Sequence, residues 1–148
     1  MAATKTGVSL NWGGFDKALG ETAHKLGNTQ ALMKSVGDAL VSGTLKRFQD
    51  EEEPTGKKWP KSKRAAKKDG QTLTDTALLR RSIDYAATSD KVMVGSNLPY
   101  ARIHQKGGKT GKGHKVDMPA RPYLGVSEED MDEVRETVAD FLKGAFKP

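Results

Sequence analysis

The sequence predicts an α+β domain: a small antiparallel sheet with a long N-terminal helix and a C-terminal helix packed on it, joined by extended loops. Three observations predict it. Apolar residues recur at helical spacing near both ends of the chain, over residues 28–50 and 127–145. Two short runs of strand-forming residues lie between them, close enough to form one hairpin. Segments rich in Gly, Pro and Lys separate these elements.

In chain order, residues 1–27 read as an N-terminal arm and residues 28–148 as a single domain. Within the arm, Val8, Leu10 and Trp12 alternate with Ser9 and Asn11, which suits a short strand ended by Gly13-Gly14. Docking on a neighbouring subunit and local packing both remain open for the arm. Asn28 is placed to cap a helix in which Leu32, Val36, Leu40, Thr44 and Phe48 step by four, with Met33, Val41 and Leu45 widening the stripe. The acidic run from Asp50 to Glu53 opposes a helix C-terminal dipole, so the helix is expected to end near Phe48.

Residues 54–70 are bounded by Pro54 and Gly70 and read as a basic loop, with Trp59 as its apolar anchor. Thr74 or Asp75 then suits the N-cap of a short helix whose Leu78, Leu79 and Ile83 face inward. The runs Tyr85–Thr88 and Lys91–Gly95 form the hairpin, turning at Ser89-Asp90. Pro99 opens a second short helix that Gly107 and Gly108 end. Residues 106–115, with four glycines, read as a flexible basic loop. The prolines of Met118–Gly125 make that segment an edge strand at best. Ser127 with Asp130 matches a capping box with Asp in place of Glu. It starts a last helix whose stripe is Met131, Val134, Val138 and Leu142, with Phe141 and Ala145 beside it.

The net charge of +6 is unevenly spread. Residues 54–115 hold 15 Lys/Arg and 4 Asp/Glu, a net of +11, and the remainder is net −5. A basic segment of this kind meets phosphates or an acidic protein surface, or is a solvated face. The absence of cysteine excludes disulfides and thiolate metal sites. No apolar run approaches the ~20 residues of a membrane-spanning helix, and Met1–Asn11 lacks the layout of a secretory signal. The chain is therefore expected to be soluble and made in a cytoplasm.

No pattern of catalysis emerges. His24, His104 and His114 lack metal-ligand spacing. His104 is expected to pack or hydrogen-bond at the end of its short helix. Gly107–Gly113 departs from a P-loop, because Gly111-Lys112 is followed by Gly113 rather than Ser or Thr. Glu51, Glu52 and Glu53 are consecutive, whereas acid–base work needs carboxylates that converge with separated pKa values. No enzyme activity, cofactor or metal is expected.

A set of short motifs occurs in a definite order. Arg47-Phe48 is followed by Glu53–Pro60, then by Leu73–Ile83, Val92–Ser96, Tyr100–Gly107 and Met118–Gly125. Together they resemble the virion morphogenesis family of Mu-type phages, also described as the tail-completion S family, over about residues 29–145. Ala77 departs from the family pattern, which has Gly before the Leu. The resemblance implies a structural protein at the head–tail junction (neck) or tail end of a tailed bacteriophage, completing the tail or joining it to the capsid. It implies location in the virion, and in the host cytoplasm during assembly. It also implies a homo-oligomeric ring, a hexamer given the symmetry of phage tails, touching other neck, connector and tail proteins and genome DNA in the channel, with no membrane contact. Head–tail connector and tail terminator both stay open, as does a sequence-independent nucleic-acid-binding protein.

The residues that would serve such a role fall into two groups. Lys57, Lys58, Lys61, Lys63, Arg64, Lys67 and Lys68 of one basic segment, with Lys109, Lys112 and Lys115 of the other, are candidates to face DNA or an acidic neighbour. Trp59, Tyr100, Arg121, Tyr123 and Leu124 are candidate assembly or anchor residues. For Tyr123 and Leu124, packing within one subunit and contact between subunits are both open.

Overall fold

The computed structural model describes residues 8–11 and 29–145. The rest of the expected arm, Trp12 and the Asn28 cap included, lies outside the described residues. β1 (Val8–Asn11), β2 (Asp84–Ala87) and β3 (Lys91–Gly95) form an antiparallel sheet in the order β1-β3-β2. The hairpin is as expected: Thr88 N–H donates to Lys91 O at 2.9 Å across its turn. Tyr85 pairs with Val94 and Ala87 with Val92. On the other edge Val8 pairs with Val94 and Leu10 with Val92. Strand side chains alternate between faces, so Val92 and Val94 share one, and both are buried.

That face meets α1 (Thr29–Asp50), which lies on β2 and β3. Leu32, Val36, Leu40, Thr44 and Phe48 are all buried, as their spacing requires. Thr44 keeps its hydroxyl satisfied by donating to Leu40 O at 2.9 Å. The last helix, α5 (Glu128–Ala145), lies along α1 and contributes the fully buried Val134 and Val138 to the same core. Two glycines let neighbours approach α1. A Cβ on Gly37 would run into the Tyr85 ring, and one on Gly43 into the Asp130 carboxylate.

Several elements differ from the sequence expectation. α1 continues to Asp50 rather than stopping near Phe48, and ends when Glu51 turns left-handed (φ 56). Partners from outside the helix make the acidic end tolerable. Glu51 accepts from Thr72 N–H at 2.6 Å, and Glu52 pairs with Lys58 at 3.1 Å. The 54–70 segment is not all loop. It contains α2 (Lys63–Lys68), capped by Ser62, whose hydroxyl accepts from Ala65 N–H. The Ser62-to-Ala65 spacing and the left-handed Asp69 after the last turn are ordinary helix punctuation. α3 (Leu78–Arg81) is a single turn, and neither Thr74 nor Asp75 caps it. Leu79 and Ile83 face inward as expected, but Leu78 is 54% exposed. The second short helix, α4 (Ala101–Lys106), ends at Gly107. The 106–115 segment is also structured: β4 (Gly108–Thr110) pairs with β5 (Val116–Met118) around a 3-10 turn at Lys112–His114. Beyond Met118 the chain is extended without strand partners up to Ser127.

Ala77 sits before α3 with φ 61 and ψ 14 and makes no side-chain cap. This is the left-handed region, where a Cβ costs about 1–2 kcal/mol. Glycine gives back part of that through its freer unfolded chain. Ala77→Gly is therefore expected to stabilise the fold by ~0.5–1 kcal/mol, read as a higher denaturant midpoint. A lower midpoint would show that the turn is not strained.

Candidate functional site

The 119–127 segment has no strand partners, so side chains hold it in place. Gln105 of α4 is the first. Its Oε1 accepts from Tyr123 N–H at 3.1 Å and Leu124 N–H at 3.0 Å, and its amide donates to Leu124 O at 3.1 Å. Arg47 of α1 is the second. It donates to Tyr123 O at 2.8 Å, Gly125 O at 3.0 Å, Thr44 Oγ1 at 3.2 Å and the Asp130 carboxylate at 2.6 Å. Both ends of the Arg47–Asp130 ion pair are about 5% exposed. Asp130 also completes the expected capping box: Ser127 N–H donates to its carboxylate and its own N–H donates to Ser127 Oγ, each at 3.0 Å.

Trp59, Tyr123 and Leu124 belong to this construction and are buried in one subunit. Trp59 donates from Nε1 to Pro122 O at 2.8 Å. The Tyr123 hydroxyl donates to Ala101 O at 2.7 Å. The Phe48 ring lies between them, 5.6 Å from Trp59 edge-on and 5.2 Å from Tyr123. The sequence does not single out Arg47, Gln105 or Asp130 as a site. Arg47 and Gln105 lie within the ordered motifs and Asp130 within the capping box, but nothing in the sequence says that they converge.

The basic candidates divide in two. Lys58, Arg64 and Lys109 are engaged within the chain, with Glu52 at 3.1 Å, Asp75 at 3.5 Å and Asp117 at 3.3 Å. Lys57, Lys61, Lys63, Lys67, Lys68, Lys112 and Lys115 are exposed and form no ion pair with any described residue. The tip of the β4–β5 hairpin also exposes Val116.

The opposite charge gathers elsewhere. Where α1 crosses the start of α5, a cleft of about 620 Å³ is lined by Asp38, Glu52, Glu53, Glu128, Glu129, Asp130 and Glu133, with Lys46 and Arg47 as the cations. Lys46 is bonded to Glu129 at 2.8 Å, which holds its ammonium pKa above the ordinary value. Among the described residues no group of side chains is arranged to hold a metal ion, and no helix is long and apolar enough to cross a membrane.

A second cleft, of about 330 Å³, lies between α3 and α4, with Leu78, Leu79, Tyr100, His104, Met118 and Arg121 among its lining residues. Tyr100 stacks edge-on against His104 at 6.0 Å. Burial pushes the His104 pKa below the ordinary 6.5, and the nearby Arg121 guanidinium adds to this. The folded protein thus resists protonating His104 while the unfolded chain accepts the proton. His104 contributes stability that is complete above pH 6.5 and is lost as pH falls from there through the lower folded value. Wild type should therefore lose more stability than His104→Phe between neutral pH and pH ~5. Equal losses in parallel denaturant titrations would contradict this.

Residues 10–143 match the model of a family described as the phage virion morphogenesis family. The chain is similar to Mu-like prophage FluMu G protein 2 of Haemophilus influenzae, with 34% identity over 130 residues, covering 88% of this chain and 90% of the relative. It is also similar to "Putative capsid assembly protein G" of Escherichia phage Mu, with 30% identity over 128 residues, covering 80% and 82% of the two chains. No solved structure matches.

Proposed function

The chain belongs to the phage virion morphogenesis family, and on that premise we propose that it is a non-enzymatic structural protein forming a ring at the neck or tail end of a tailed phage. Membership of the family carries a structural or assembly role in the phage. The ring rests on one observation, the separation of exposed charge within a single small domain. Lysines that form no ion pair with any described residue lie on and around α2 and at the hairpin tip, and carboxylates line the α1–α5 cleft. A contact that joins two different patches of the same molecule is heterologous, and it closes into a ring when the rotation between copies divides a full turn. The lysines left over suit DNA in the channel or an acidic neighbouring ring, without reading sequence.

Electron cryomicroscopy of the assembled particle tests the reading. The expected result is a closed ring of this chain between capsid and tail or at the tail end. Density for the chain only in the capsid shell, or none in the finished particle, would sink it. The name of the phage Mu relative, a capsid assembly protein, favours the second reading, a factor that acts in capsid assembly. A chain present on procapsids and absent from mature virions would establish that one. Replacing Lys112 and Lys115 together with Lys109 by Gln is expected to lower the yield of infectious particles while leaving the fold intact. Unchanged assembly and genome ejection would remove any role for the hairpin's charge.

A further inference from the structure

The cleft between α3 and α4 holds a buried charge, Arg121, that pairs with no described carboxylate; Asp75 also lines the cleft but is paired with Arg64 at 3.5 Å. Arg121 is 5% exposed. Its Nε donates to Pro60 O at 2.6 Å, and Nη1 reaches only Met118 Sδ at 3.6 Å. No described carboxylate forms an ion pair with it. Burying a guanidinium without a carboxylate is costly, and buried charges are normally paired. Beside it the buried Nδ1 of His104 has no hydrogen-bond partner among the described residues. At the rim stand Leu78 and Tyr100, 54% and 40% exposed, two of the three large apolar side chains exposed among the described residues. A desolvated cation under an apolar rim suits a carboxylate carried on a protein surface. A phosphate backbone would neutralise Arg121 but bring nothing to cover Leu78.

The same chain offers such carboxylates. Glu128 and Glu133 on the wall of the α1–α5 cleft are exposed and form no ion pair with any described residue. We propose that the Arg121 cleft seats a carboxylate of the α1–α5 face of a second copy, with Leu78 and Tyr100 closing over the contact. This rests on the homo-oligomeric reading above and names the two surfaces that would meet. The contact is heterologous, so every copy keeps one cleft and one acidic face to offer to further copies.

The chain has no cysteine, so a nitroxide placed at Glu136→Cys labels one position on α5 and leaves Glu128 and Glu133 in place. Labelled chain is mixed with isotope-labelled, otherwise unmodified chain, and amide line broadening is read on the latter. The expected result is broadening at Leu78, Tyr100 and His104. Leu78→Asp in the observed copy should weaken the contact about tenfold or more, its own spectrum showing that it folds. Broadening confined to other surfaces overturns the docking and leaves the oligomer standing. No broadening anywhere overturns both. Shifts of the cleft amides on adding a short DNA duplex, without broadening by the second copy, would assign the cleft to nucleic acid instead.

Discussion

Arg47→Ala is expected to destabilise the protein by about 3–5 kcal/mol, the cost of breaking a buried ion pair from one side. The loss has two parts. Asp130 is left as a buried carboxylate whose remaining bond is from Ser127 N–H. Tyr123 O, Gly125 O and Thr44 Oγ1 each lose a donor at the same time. A shift of this size lowers the melting temperature by about 10 °C or more in a chain of this length. Asp130→Ala should do comparable damage by stranding the guanidinium and opening the capping box. The two changes meet at one contact, so the double variant should lose clearly less than the two losses added together. Additive losses in a double-mutant cycle would show that the pair does not couple α1 to α5.

Tyr123→Ala is the second large effect, also expected at about 3–5 kcal/mol. The residue is fully buried, stacks on Phe48, and donates to Ala101 O. Tyr123→Phe separates the ring from the hydroxyl. It retains the ring's packing and removes the hydroxyl's bond to Ala101 O, so a loss of about 1–2 kcal/mol is expected. The alanine variant should be poorly soluble or unfolded. A soluble, folded Tyr123→Ala protein that fails only in particle assembly would move the residue from the core to a subunit contact.

The helices were the most legible part of this fold. Residues 32–48 and 134–138 carry their burial in their spacing, because a helix face repeats every three to four residues whatever it packs on. The hairpin was legible for the same kind of reason: alternation and a short polar turn are local. α2 and the β4–β5 hairpin were missed because Lys and Gly dominate those segments, and their small elements bury almost nothing beyond Ala65. Leu78 was expected inside on its residue type, but α3 is one turn long and buries only Leu79.

The basic candidates were found from composition, which cannot see pairing. Lys58, Arg64 and Lys109 look like Lys57 or Lys112 in sequence, yet each has a carboxylate within the chain. The acidic cleft was invisible for a related reason. Asp38, Glu53 and Glu128 come from distant parts of the chain and share a wall only when α1 and α5 cross.

By itself the sequence determined the α+β class, the two amphipathic helices, the central hairpin, the capping box and the resemblance to the family. All of these depend on residues near one another in the chain or on the order of short motifs. Only the tertiary structure decided that Arg47 joins Asp130 across 83 residues, that Gln105 clamps the Tyr123–Leu124 backbone, and that Arg121 is buried without an ion pair to any described carboxylate. Those facts depend on where a side chain ends rather than where it starts. An arginine or glutamine side chain reaches well beyond its own backbone, so its local sequence carries no trace of the partner that the fold brings to it.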